Sequence, residues 1–203
     1  MATSNVSIAN LALQKLGAAS IVSLTENSVN AREMNACFEA MRDTELRKYL
    51  WKFALKRTTL AASVVAPDFT FLYAFPVPSD FLRIVKPARL GLDWHLEHHD
   101  GSLCILTNDA DTLEVRYLAK TTDPSLFDPS FVEMLACKLA LQCCERITQS
   151  NTKKAAINEE YRMLLSEARK VNAFEVAKNP EPVDEWLAAR QIGQLVNTEW
   201  LEE

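Results

Sequence analysis

All three histidines of the chain lie in one short stretch, WHLEHHDG, which runs from Trp94 to Gly101. Imidazole nitrogens bind metal ions and exchange protons near neutral pH, so His95, His98 and His99 are the first candidates for chemistry. His95 and His99 have the i, i+4 spacing of a zinc-binding HExxH helix, but the order here is HLEHH. A helical zinc site is therefore not predicted, and the local structure decides what these imidazoles can do.

Asp100 and Gly101 are a residue pair that strongly favours a two-residue hairpin turn, because both residues tolerate positive φ. A hairpin is predicted from the alternating residues on either side, with these cross-strand pairs: His99 with Ser102, His98 with Leu103, Leu96 with Ile105 and Trp94 with Thr107. His98 would then point away from the face shared by His95 and His99, which lie about 13 Å apart at a strand rise of ~3.3 Å per residue. Only a second chain could bring imidazoles together on one ion. We expect a hairpin tip that is exposed or contacts a subunit, with a pH-sensitive contact as the alternative.

Patterns that would indicate catalysis are weak elsewhere. The sequence contains no GxSxG, SxxK, glycine-rich phosphate loop or dinucleotide-binding fingerprint. The vicinal Cys143 and Cys144 have no nearby base in the sequence that would activate a thiol. Two acidic pairs could serve as glycosidase carboxylates but are of a kind that is usually solvated: Asp109 with Asp111, and Glu159 with Glu160. We therefore predict no catalytic residue, no metal and no cofactor.

Composition narrows the class of protein further. The net charge of −5 argues against a protein that wraps nucleic acid electrostatically. No apolar run is long enough to cross a membrane, and the first residues do not resemble a secretory signal. The five cysteines lack zinc-binding spacing and are predicted to be free thiols from a reducing cytoplasm. Cys37, Cys137 and Cys144 fall within apolar helical patterns, where a thiol acts as a small hydrophobic group.

A cluster of basic residues surrounds two aromatic side chains in the middle of the chain. Trp51 and Phe53 interleave with these cations: Arg42, Arg47, Lys48, Lys52, Lys56 and Arg57. Such a combination can bind nucleic acid, so Arg47, Lys48 and Lys52 are candidates to face DNA. The alternative is a half-exposed strand whose lysines alternate with buried aromatics.

The pattern of elements predicts an α+β fold. Two helices, over residues 4–17 and from 28 to about 50, occupy a segment 1–50, with Ser4 or Asn5 as first cap and Gly17 as terminator. An inserted antiparallel β domain is predicted over 51–125, with strands from Trp51 and across residues 113–119. A helical hairpin over 126–178, capped by Asp128, would complete an antiparallel helical bundle with the first two helices.

The last segment, 179–203, is predicted to be an extended docking arm. Pro180 and Pro182 interrupt helix, and acidic residues outnumber basic ones. The segment nevertheless carries too many large apolar side chains for a solvated tail, so it should dock on its own bundle or on a partner. The candidate interface residues are Trp186, Leu187, Ile192, Leu195, Trp200 and Leu201.

Four segments in series carry a resemblance to a known family. They are an ALxxLG first helix (IANLALQKLG), the long helix entered at Ala31-Arg32 and left at Trp51-x-Phe53-Ala54, the YxxPxPxDFLR segment from Tyr73 to Arg83, and the DPSFVEMLACKLALQCCERIT helix. This order, over about residues 8–174, resembles the tail tubular protein A family, the head-to-tail adaptors of short-tailed bacteriophages.

The resemblance implies a virion structural protein that forms a dodecameric ring between the portal protein and the tail nozzle and extends the channel for double-stranded DNA. It implies a helical bundle with a β domain, synthesis in the host bacterial cytoplasm, and no catalytic residues. The arm would then meet the portal or a neighbouring subunit, and the tip formed by His98, His99, Asp100 and Gly101 would face the nozzle. The alternatives are a tail enzyme that degrades peptidoglycan or polysaccharide, and a soluble binding module unrelated to phage.

Overall fold

Two helices precede six strands and two helices follow them in the computed structural model, which describes residues 3–87, 93–108 and 112–174. The helices within these ranges are α1 (Asn5–Leu16), α2 (Val29–Lys48), α3 (Pro129–Thr148) and α4 (Asn151–Phe174). The strands are β1 (Leu55–Ala61), β2 (Tyr73–Pro76), β3 (Phe81–Pro87), β4 (Trp94–His99), β5 (Ser102–Thr107) and β6 (Thr112–Ala119). The predicted α+β class is confirmed.

The helices begin and end where local sequence signals place them. Ser4 caps α1 in a reciprocal arrangement with Ser7, and the first residue after the helix, Gly17, has φ +68°, a left-handed conformation in which a side chain is strained. Asp128 caps α3 by accepting a hydrogen bond from the Ser130 backbone N–H, with proline in the first turn. Ser4 rather than Asn5 is therefore the first cap.

The largest apolar core lies among the helices. α1 and α2 both contact α3, whose buried face is made almost wholly of apolar and thiol side chains. The innermost side chains of this core include Ile8, Leu13, Met34, Phe38, Leu46, Phe131, Met134, Leu135 and Leu139. α4 contributes Ile157, Tyr161 and Ala168 to this core. Two ion pairs add to its contacts: Lys15 of α1 lies 2.5 Å from Glu160, and Lys154 lies 2.9 Å from Glu145 of α3.

The strands form two three-stranded antiparallel sheets, ordered β1-β6-β3 and β2-β5-β4. The sheets share a second core that includes Leu60, Phe75, Ile105, Val115 and Tyr117. On the opposite face of the first sheet, Leu118 is buried in the helical core. The first sheet thus lies between the helices and the second sheet.

Two register shifts in β3 let that strand serve both cores. They fall between Phe81 and Arg83 and between Ile84 and Lys86. Phe81 and Ile84 pack in the core between the sheets, whereas Leu82 and Val85 pack against the helical core. Bulges of this kind re-aim side chains at a strand's edge, and here they join the sheets to the helices.

The prediction of a strand that starts at Trp51 is wrong. Lys52–Ala54 is a 3-10 turn, and strand pairing begins at Leu55. Trp51 is only 1% exposed, and its indole N–H donates to the Glu45 carbonyl oxygen at 2.9 Å. Its ring meets that of Phe131 edge-on at 5.0 Å between centroids. The alternating pattern of aromatics and lysines is therefore produced by a turn that inserts its aromatics into the helical core.

The chain divides into a unit up to Asn172 and a second unit from Ala173. Residues 175–203 lie outside the described ranges, and so does the predicted arm. None of the described helices has the length and apolar character needed to cross a membrane.

Candidate interaction surfaces

The hairpin predicted at Asp100-Gly101 is present with the predicted register. Asp100 has φ +48° and Gly101 has φ +72°, the positive values that a tight turn of this kind requires. All four predicted pairs are confirmed: His99 with Ser102, His98 with Leu103, Leu96 with Ile105 and Trp94 with Thr107. Both turn residues and His98 are exposed at the tip.

The three histidines have three different environments. His95 packs its ring on Phe71, with centroids 5.2 Å apart, and lies 3.7 Å from Glu97. His98 is exposed, whereas His99 is half-buried and its Nε2 lies 3.0 Å from the Val65 carbonyl oxygen. Across the described ranges, no group of three or more histidine, cysteine or acidic residues is arranged to hold a metal ion. His99 therefore anchors the hairpin to a neighbouring loop instead of standing free at the tip.

That neighbouring loop, residues 62–72, displays apolar side chains to solvent and will be called the apolar loop. Val64 is fully exposed and Phe69 is 81% exposed, and Leu72 is also largely exposed. Thr70 within it has φ +68°, which is unusual for a β-branched residue. Apolar side chains concentrated on one exposed loop are typical of a surface that binds another protein. Sequence reasoning missed this surface, although the clustered VV and FTFL segments between prolines and strands were visible.

The predicted basic cluster is partly dispersed by the fold. Arg42 is 1% exposed and pairs with the adjacent Asp43 at 2.8 Å, so it cannot contact DNA. The Lys56 Nζ lies 2.7 Å from Asp80. Arg47 and Lys48 lie in the last turn of α2, where Arg47 donates to the Leu82 carbonyl oxygen and Lys48 pairs with Glu45 at 2.7 Å. Arg57 lies on β1, opposite Arg116 of β6.

Lys52 marks the point where α4 reaches the turn after α2. Its backbone N–H donates to Asn172 Oδ1 at 2.8 Å, and the Asn172 amide donates to the Leu50 carbonyl oxygen at 2.7 Å. Arg83 of β3 lies across the same corner, with its guanidinium 3.5 Å from the Lys48 carbonyl oxygen. Arg47, Lys48 and Lys52, at and just after the end of α2, will be called the basic corner. The Arg47 side chain holds the end of α2 to β3, and the Lys52 backbone holds the turn after α2 to α4.

A buried carboxylate connects α2 to α4. Glu45 is fully buried, and its Oε2 accepts a hydrogen bond from the Tyr161 hydroxyl at 2.9 Å. Burial is the first cause that raises the pKa of Tyr161, followed by the charge of Glu45 and this hydrogen bond. Lys48 satisfies the other oxygen of Glu45, and Trp51 binds its backbone carbonyl. We interpret the network as structural, because the Glu45 carboxylate oxygens both accept hydrogen bonds from side chains of the same protein.

A second polar cluster fixes the turn between β2 and β3. Asp80 accepts hydrogen bonds from Lys56 at 2.7 Å and from the Tyr117 hydroxyl at 3.0 Å. Burial opposes the charged form of Asp80, but these two hydrogen bonds outweigh it and lower the pKa of the carboxyl. Burial, together with Asp80, raises the pKa of Tyr117 to about 12. The backbone oxygen of Asp80 also accepts from the Lys120 N–H at 2.6 Å, so this residue joins three strands.

Glu159 and Glu160, one of the two acidic pairs considered as glycosidase carboxylates, do not form a paired site. Glu159 lies 3.0 Å from Arg162, and Glu160 pairs with Lys15, so these neighbours hold separate cations. Asp109 and Asp111 lie outside the described residues. The arm residues proposed as an interface also lie outside them: Trp186, Leu187, Ile192, Leu195, Trp200 and Leu201.

No protein-family model matches the chain, and no curated protein matches it either.

Proposed function

We propose that this chain is a head-to-tail adaptor, a virion structural protein that forms a dodecameric ring between the portal protein and the tail nozzle and extends the DNA channel. The observation that carries the proposal is where the residues of the family resemblance lie. They lie at the joints of the fold, where helices meet sheets and where chain direction reverses, and these joints determine a subunit's shape.

The first joint is the end of α1. Gly17 of the ALxxLG motif ends that helix in a left-handed conformation. The Asn10 side chain then forms two hydrogen bonds, of 2.8 and 2.9 Å, with the backbone N–H and carbonyl oxygen of Ile21. The chain therefore turns sharply towards α2. A substituted side chain at Gly17 would be strained and would also approach Lys153 of α4.

The second joint lies between α2 and β1. Trp51 and Phe53, in the turn that follows α2, form an aromatic cluster with Phe127 and Phe131. Neighbouring ring centroids in this cluster lie 5.0 to 6.1 Å apart. Aromatic pairs at these distances stabilise one another beyond their simple burial. The cluster fixes how the sheets leave the helices, as a ring subunit with a helical part and a β part would need.

The third joint is the YxxPxPxDFLR segment, which is β2, a turn and the start of β3. Its Asp80 binds Lys56, Tyr117 and the Lys120 backbone, and its Leu82 packs against the helical core. The proposal includes the finer arrangement expected from the sequence: an antiparallel bundle made from both ends of the chain, a β domain over 51–125 and an arm over 179–203.

The proposal assigns a partner to each surface. The apolar loop and the hairpin tip, joined by the contact between His99 and Val65, would meet the tail nozzle. The arm would bind the portal or the adjacent subunit, and the basic corner would face passing double-stranded DNA. The ion pairs of Glu159 and Glu160 support a structural role for α4 over one in general acid–base catalysis.

Capture by portal rings tests the proposal. The purified chain is expected to bind cognate portal rings stoichiometrically, and a chain ending at Asn179 is expected to lose that binding while keeping its helical circular dichroism. A full-length Trp186→Ser, Trp200→Ser variant serves as a second probe without truncation. Failure of the intact chain to bind the portal would remove the adaptor proposal.

A separate substitution tests the nozzle assignment. Replacing His98 and His99 by alanine should leave rings on the portal intact and abolish tail attachment. Glu97→Gln is the matched control, because Glu97 is an exposed residue of the same strand that lies outside the tip. Normal tail attachment by the double histidine variant would contradict the assignment of the tip.

A further inference from the structure

Two cysteines from different helices place their sulfurs in contact. Cys37 of α2 and Cys143 of α3 have Sγ atoms 3.4 Å apart, although the residues are 106 positions apart in the sequence. The other thiols face different groups: Cys137 lies 3.5 Å from the Ile157 carbonyl oxygen, Cys144 lies 3.3 Å from the Thr148 hydroxyl, and Cys104 lies 3.5 Å from the Ser102 hydroxyl. All five are free thiols.

The two thiols differ in access and in acidity. Cys37 is half-buried, whereas Cys143 is 3% exposed. A hydrogen bond from the Cys143 thiol lowers the pKa of Cys37 despite its partial burial and the nearby Glu33. The same hydrogen bond, then burial and the charges of Cys37 and Glu33, raises the pKa of Cys143, and Arg146 opposes this weakly. Cys37 is the more exposed residue of the two, so we assign it as the attacking thiol and Cys143 as the resolving one.

We propose that Cys37 and Cys143 form a redox modification site, at which a hydroperoxide converts the thiol pair into a disulfide that joins α2 to α3. A covalent S–S bond is about 2.05 Å long, so the sulfurs need to approach by roughly 1.4 Å. The site goes beyond the adaptor function and does not depend on it.

The reaction balances with hydrogen peroxide as the two-electron oxidant. The Cys37 thiolate attacks one peroxide oxygen, the O–O bond breaks, and a sulfenic acid forms on Cys37 while the other oxygen leaves as water after taking up the Cys37 proton. The Cys143 sulfur then attacks the Cys37 sulfur, and the S–O bond breaks. The departing hydroxyl takes the Cys143 proton and leaves as a second water, so two thiols are oxidised and one peroxide is reduced.

The disulfide would enclose the entire β part of the chain, because β1 to β6 lie between the two cysteines in sequence. A cross-link that closes so long a loop lowers the conformational entropy of the unfolded chain and thereby stabilises the folded state. Oxidation should therefore raise the thermal midpoint by about 5 to 15 °C, given the size of the chain.

The test uses the purified full-length protein, hydrogen peroxide and mass spectrometry after alkylation. Reduced protein should alkylate at all five cysteines once denatured. After peroxide treatment two sites should be protected, and a peptide containing Cys37 should be linked to one containing Cys143. The thermal midpoint should rise as above, and dithiothreitol should reverse both changes.

Matched variants distinguish this pair from its neighbours. Cys143→Ala should abolish the cross-link and the thermal shift, whereas Cys144→Ala and Cys137→Ala should retain both. The Cys144 variant also settles which sulfur is bound in the peptide that contains both residues. A cross-link that survives Cys143→Ala, or over-oxidation of Cys37 in the intact chain with no bond to Cys143, would overturn the proposal.

Discussion

Removing the hydroxyl of Tyr161 tests the buried connection between α2 and α4 more sharply than any larger truncation. Tyr161 is 9% exposed and donates to the fully buried Glu45 at 2.9 Å. Phenylalanine keeps the ring, its packing and the nearby Lys138 ammonium, which lies 5.1 Å from the ring centroid. Tyr161→Phe therefore removes one hydrogen bond and leaves one oxygen of a buried carboxylate without its donor.

The expected cost follows from the kind of bond that is lost. A hydrogen bond to a charged group stabilises a fold by about 1.5–3 kcal/mol, and Lys48 still serves the other Glu45 oxygen. We therefore expect Tyr161→Phe to lower the free energy of unfolding by about 2 kcal/mol. For a chain of this size the thermal midpoint should fall by roughly 4–8 °C.

The effect also has a predictable dependence on pH. The folded-state pKa of Tyr161 is raised, so its contribution is fully present below the ordinary tyrosine pKa of about 10 and is lost as pH rises further. The stability difference between Tyr161→Phe and the unsubstituted chain should thus shrink above about pH 10.

Tyr49→Phe is the control, since the described contacts of Tyr49 are made by its ring, with Trp51 and with Arg169. Urea unfolding followed by circular dichroism should give a clear loss for Tyr161→Phe and little change for Tyr49→Phe. Equal stability of the two variants would refute the role assigned to the Glu45 network.

Two further predictions concern other parts of the fold. Asp80→Asn should flatten the acid side of the stability profile, because the lowered pKa of Asp80 contributes stability that is present above about pH 4 and is lost as pH falls further; urea unfolding at a series of acidic pH values measures this. Phe131→Ala should cost about 3–5 kcal/mol in urea unfolding by emptying the aromatic cluster, whereas Phe69→Ala on the apolar loop should stay within about 0.5 kcal/mol. Equal losses in the last pair would contradict the described core.

Local signals in the sequence were enough to predict several elements correctly. The Asp100-Gly101 turn fixes a register by itself, because it allows only one pairing of the strands on either side. Both ends of α1 and the start of α3 follow from Ser4, Gly17 and Asp128, which form hydrogen bonds with the terminal backbone groups of their own helices.

Contacts between distant segments were not predictable in the same way. Trp51 fits an alternating pattern locally, but its burial depends on Phe131, which belongs to a later helix. Glu45 and Tyr161 are 116 positions apart, and neither has a neighbour in sequence that indicates the other. Helical periodicity places a residue on a face without saying which residue of another helix it meets.

The candidate binding surfaces also combine a locally predictable part with contacts between distant segments. The tip was predicted from its turn, while the tie between His99 and the apolar loop arises because residues 62–72 fold back on the second sheet. The Cys37–Cys143 contact was missed because five cysteines without regular spacing suggest no pairing.

Electron microscopy of the purified chain mixed with portal rings tests the adaptor proposal most directly. The proposal predicts an additional dodecameric ring on the portal, coaxial with its channel and missing when residues 180–203 are deleted. Portal rings that remain bare in the presence of excess intact chain would contradict it.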